Sequence, residues 1–148
     1  MNLLANVQRS LRLIDHIIDA LELNLSGLTV LTEAASGPFV CTALIAARAG
    51  AKVYAVTKSS PYGSSDKVIA YTTELAKRWN LTDRMILSTE SASVFAADSD
   101  IVTNLGFVRP INKDLIASLS NHAAISLMWE GWEYRPEDLD LRACREHD

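Results

Sequence analysis

The sequence has little of what would announce a reaction. Cys41 and Cys144 are its only cysteines, too few for a disulfide framework, which points to a reducing compartment. His16, His122 and His147 are scattered, with neither an HExxH pair nor another paired spacing, so no metal site is expected. There is no GxSxG elbow and no P-loop lysine motif, and no Ser/His/Asp set can be assembled. Basic residues form no run and no interleaved aromatic stripe. With 14 Lys and Arg against 18 Asp and Glu the formal charge is −4, which argues against a nucleic-acid partner. The longest largely apolar stretch, residues 39–47, is far too short to span a bilayer. The N-terminal segment carries Arg9, Arg12 and Asp15 and no small-residue cleavage site after an apolar core. The expectation is a cytoplasmic protein that does not engage a membrane.

What is present is an ordinary globular balance, 49% hydrophobic and 22% charged, in a chain of one domain's length. Residues 27–60 organise it. An apolar, β-rich run (28–32) meets the breakers Ser36, Gly37 and Pro38; an alanine-rich helical stretch (39–49) follows, then a second β-rich run (52–57). That is a βαβ unit with a right-handed crossover. Further strands are expected at 84–89, 100–105 and 123–128, alternating with helices at 66–79, 91–97 and 112–119, and a last helix opens at Pro136 and runs to 145. The predicted fold is therefore α/β, a doubly wound, mostly parallel sheet in the order 3-2-1-4-5. Residues 1–26 form an extra N-terminal amphipathic helix, with Leu4, Val7, Leu11, Ile14, Ile18 and Leu21 on one stripe, and residues 27–148 the nucleotide-binding domain. The stripe either packs on its own domain or makes a homo-oligomer.

The first turn of such a fold wants small residues at three places, for the bend, for backbone approach to a pyrophosphate, and for helix packing. Here those places fall on Ala34, Ser36 and Phe39, and the one glycine is Gly37, so the glycine pattern is degraded. Ala34, Ala35, Ser36, Gly37, Pro38 and Phe39 still make a small-residue turn before a helix start, where free amides suit a phosphate. After the second strand a ribose held through two hydroxyls asks for Asp or Glu; this chain has Thr57, Lys58, Ser59 and Ser60. A cation with two hydroxyls suits a 2′-phosphate, so NADP is expected over NAD. The alternatives are a solvated Lys58, a binding or assembly module whose turn holds another phosphate or none, and an S-adenosylmethionine-type methyltransferase whose first motif would fall on residues 33–39.

The runs TVLTEAASGPFV, AGAKVYAVTKSS, ADSDIVTNLGFVRPI and AAISLMWEGWEYR resemble the dinucleotide-binding domain of NAD(P)-dependent dehydrogenases, nearest the D-2-hydroxyacid dehydrogenase and S-adenosylhomocysteine hydrolase type. The chain also resembles a group of bacterial proteins sharing the TNxGFVRP and LMWExWEYR runs. The dehydrogenase resemblance covers residues 27–141. It implies the cofactor half of an oxidoreductase, with Asn104, Leu105 and Gly106 beside the nicotinamide and its ribose. The histidine that such dehydrogenases use for catalysis has no match in this sequence. Arg109 is either a fork for a substrate carboxylate or a surface arginine. Trp129 and Glu130, in the dense WEGWEYR stretch, line a substrate cleft, make an interface, or simply cap the sheet.

Overall fold

A computed structural model describes residues 7–129 and 131–147. Five strands run β1 (Thr29–Glu33), β2 (Lys52–Val56), β3 (Met85–Ser88), β4 (Ile101–Thr103) and β5 (Ala124–Ser126), all parallel, in the order β3-β2-β1-β4-β5. This is the order expected from the sequence. It places β1 at the centre, and the order reverses between β1 and β4.

Each strand sends alternate side chains to opposite faces. Val30, Val53 and Ala55 pack with α1 (Val7–Ala20), α2 (Val40–Arg48) and α3 (Ser65–Arg78). Leu31, Tyr54, Val56 and Val102 pack with the 3-10 segment Ala92–Asp98, α4 (Lys113–Ala117) and α5 (Leu141–Glu146). Leu31 and Val53 are fully buried, and each such side chain contributes on the order of 1.5–3 kcal/mol relative to exposure.

The amphipathic first helix docks on this core. Ile14 is buried, with Val7, Leu11 and Ile18 packed around it, and Arg48 of α2 holds Asp15 at 2.6 Å. The predicted stripe ends earlier than its period suggests. Leu21 is 71% exposed because the helix stops at Ala20 and the chain turns through Glu22 at positive φ. Leu4 lies outside the described residues. Gly50 ends α2 at φ +107°, and a Cβ there would stand 2.6 Å from Ser26 Oγ and 3.1 Å from Ser26 N, so the crossover closes only on glycine.

The far end of the chain departs from the sequence reading. Pro136 does not open a helix. Leu139 instead bridges in parallel to Ile111, with Ile111 N donating to Asp138 O and Asp140 N to Ile111 O. Asp140 then caps α5 through Ala143 N. This turn, with the bridge at Leu139, clasps the loop that follows β4.

Candidate functional site

The carboxyl ends of β1, β2 and β4 meet in a cleft of about 450 Å³ at the point where the strand order reverses. Ala35, Ser36, Pro38 and Phe39 form one wall, Ser60, Tyr62 and Val68 the second, and Leu105, Gly106, Phe107 and Arg109 the third. Glu33 lies at its floor. Phe39 and Tyr62 stand 60% and 80% exposed at the margin, leaving aromatic faces available to a ligand.

The turn is built much as its small residues suggest. Ala34 N continues the ladder to Val56 O, and Ala34 is buried beneath the cleft rather than lining it. Gly37 takes φ +67°, the left-handed conformation that carries the chain into the 3-10 turn Gly37–Phe39, with Pro38 inside that turn. α2 thus begins at Val40, one residue later than the sequence places it. Ser36 makes no side-chain cap to this turn, and Phe39 offers none to α2. The opening amides are therefore free of side-chain acceptors from their own caps.

Lys58, Ser59 and Ser60 follow β2 as expected but do not act as one group. Ser60 lines the cleft, and its hydroxyl accepts from Tyr62 N at 3.2 Å. Ser59 Oγ accepts from Ser65 N at 3.1 Å and holds the start of α3. Lys58 lines a second cavity of about 240 Å³, with Ser91, Ser93 and Asn112. Residues 107 and 109 border both cavities and form the partition between them.

The loop after β4 is held by its own polar ties. Asn104, 1% exposed, accepts from Met128 N at 2.6 Å and so stitches this loop to the one after β5; it lies behind the cleft. Gly106 is at the surface of the cleft. Arg109 reaches it too, but its Nη1 donates to Asp138 Oδ2 at 2.7 Å and its guanidinium lies 5.2 Å from the Trp129 ring centre. The arginine is therefore a clasped residue rather than a free fork. Asn104 Nδ2, Arg109 Nε and Trp129 Nε1 are buried with no hydrogen-bond partner among the described residues. Trp129 thus packs against the partition, and Glu130 falls outside the described residues.

Glu33 enters the sequence reading only as the first residue of the stretch 33–39 on which a methyltransferase-type motif would fall. In the structure it is the cleft's buried carboxylate, 6% exposed, with Oε2 accepting from Phe107 N at 3.0 Å. Burial pushes its pKa up from the ordinary carboxylate range, while the amides of Phe107 and Gly106 and the charge of Arg109 pull the other way. Its signal in the sequence is a charge closing an otherwise uncharged strand just before a small-residue turn. Among the described residues no group of three or more His, Cys, Asp or Glu converges as metal ligands, and no helix is long and apolar enough to cross a membrane.

No protein-family model matches the chain, and no curated protein sequence matches it. Among solved structures it is similar to a dipicolinate synthase subunit from Bacillus halodurans, with a TM-score of 0.55 and 17% identity over 90% of this chain and 40% of that one. The chain thus spans well under half the length of that protein. At this identity the likeness speaks to the fold, and together with the five-stranded parallel sheet it makes the domain a Rossmann-type one.

Proposed function

We propose that this domain binds a dinucleotide, preferring NADP to NAD, and serves as the cofactor half of an oxidoreductase. The observation that carries the reading is the cleft itself. It sits at the strand-order reversal of a doubly wound sheet, where ligands of such sheets bind, and its volume falls within the roughly 300–1,000 Å³ typical of small-molecule sites. Two of its three walls are the turn after β1, whose helix-opening amides suit a pyrophosphate, and the loop after β4.

Preference for the 2′-phosphate rests on the end of β2. Residues 57–60 hold no carboxylate for a bare ribose, and Lys58 is an exposed cation there. Ser60 Oγ accepts from Tyr62 N and keeps a proton to donate, whereas Ser59 Oγ is tied to both the amide and the hydroxyl of Ser65. Titration with NADPH and NADH tests both parts. NADPH should bind more tightly, and Lys58→Ala should weaken NADPH by about tenfold while leaving NADH unchanged. Silence with both cofactors removes the dinucleotide reading; equal loss for both removes the preference.

One feature favours a second reading. Glu33 ends β1 where the motif of an S-adenosylmethionine-type methyltransferase would put an acid, and that ligand carries less negative charge than a pyrophosphate. Binding of S-adenosylmethionine in the same assay, with neither NADPH nor NADH bound, would select it. Self-association is also part of our proposal, supported by Leu13, Ile17 and Leu21 exposed along and just past α1; sedimentation of the full chain as a monomer would remove it.

A further inference from the structure

Glu33 stands where a second negative charge is least tolerable. It closes the central strand, is nearly excluded from solvent, and shares the cleft with Ala35, Ser36, Pro38 and Phe39, the residues that lead into α2. Like charges brought together in such a site interact far more strongly than in bulk water. The groups able to offset that repulsion are few. From the loop after β4 comes Arg109: its Nη2 lies 3.8 Å, and Glu33 Oε2 3.4 Å, from the point a Cβ on Gly106 would occupy. That guanidinium is already engaged by Asp138 at 2.7 Å. From the loop after β2 comes Tyr62, a phenol. The turn and the start of α2 contribute no titratable side chain to the cleft.

We propose, resting on the reading that the cleft receives a pyrophosphate, that Glu33 takes up a proton from solvent as the ligand binds and holds it as a neutral carboxylic acid. Oε2 is already the acceptor for Phe107 N, and that bond persists. The proton goes to Oε1, which then donates to a phosphate oxygen. No bond of the ligand is made or broken, and the charge that would have repelled it becomes a hydrogen-bond donor. Glu33 is thereby a specificity residue: it sets the protonation state in which the cleft admits an anion.

The linkage has a definite sign. Burial already raises Glu33 in the ligand-free protein, and the ligand's charge raises it further. Affinity is therefore constant below the ligand-free value and falls as pH rises through it, by up to about tenfold per pH unit.

ADP-ribose is the appropriate probe, because its pyrophosphate is a diester that does not titrate near neutrality. Calorimetric titration of the full chain from about pH 5.5 to about pH 8.5, in buffers of different ionisation enthalpy, counts the protons directly. The wild-type chain should take up as much as about one proton per ADP-ribose. Glu33→Gln, which keeps an acceptor for Phe107 N and adds an amide donor, should bind more tightly than wild type at the alkaline end and without the pH slope. Binding by the wild-type chain with no proton uptake overturns the inference and leaves the nucleotide reading standing. So does a Gln variant that keeps the wild-type slope. Failure of ADP-ribose to bind at any pH removes both. The wild-type proton count decides the matter even if the variant does not fold.

Discussion

The two cavities that share residues 107 and 109 as a partition differ in almost every other respect. The larger has mostly apolar walls, two aromatic margins and a buried carboxylate at its floor. The smaller, about 240 Å³, is lined by Lys58, two serines and Asn112, and Asp114 and Arg109 reach it as well. One can enclose the body of a ligand; the other is too small for more than an appendage. The buried carboxylate lies under the turn after β1 and the exposed cation Lys58 beyond the end of β2, while Arg109 borders both cavities. The contrast teaches that the partition, rather than either cavity's lining, sets the geometry of the edge.

The strongest way to break the comparison is to release the partition from its anchor. Ile111 is fully buried and joined on both sides to residues 138–140. Ile111→Ala should cost about 2–5 kcal/mol and lower the urea midpoint without changing the denaturant slope. Nucleotide binding should then weaken regardless of which cavity a ligand group occupies. Asn104→Ala is a narrower cut. It leaves Met128 N without its acceptor, at a cost of about 1–3 kcal/mol in urea unfolding. Its binding effect should be confined to ligands that reach the loop after β4.

The smallest effect sharpens the contrast rather than breaking it. Because burial raises Glu33, the native chain holds more proton there than the unfolded chain does between the two values. Its contribution to stability is full below the unfolded value and is lost as pH rises through the folded one. The wild-type minus Glu33→Gln stability difference should therefore decline with rising pH across that window. The slope should be no steeper than about 1.4 kcal/mol per pH unit. Urea melts at several pH values measure the difference.

What can be read from the sequence follows from how far each signal reaches along the chain. The strands announce themselves through short β-branched and apolar runs, and their alternation with helices implies a parallel sheet, while its order follows from the resemblance to dinucleotide-binding folds. α2 and α3 carry their own apolar faces, so they are legible locally. Residues 136–140 are not. Pro136, Glu137 and Asp138 form a good helix opening, yet Leu139 finds a better partner in Ile111, 28 residues upstream, and the helix waits for the cap at Asp140. The turn at 34–39 is visible because Gly37 and Pro38 punctuate it. Glu33 is not recognisable as the floor of the cleft because its partners are backbone amides, which leave no mark in sequence. Lys58, Ser59 and Ser60 read as one cluster on paper; in space Ser59 is spent on the start of α3 and the other two face different cavities.

The clasp between Ile111 and Leu139 also has a temporal side. During synthesis the segment that carries Gly106, Phe107 and Arg109 leaves the ribosome well before the one that pins it, a delay of a few seconds at roughly 5–20 residues per second. The first four strands can assemble in that interval, but the nascent edge stays unfinished until Asp138 emerges to meet Arg109. A ligand arriving early would find the turn and an unpinned opposite wall, so occupancy should begin only once that aspartate has left the ribosome.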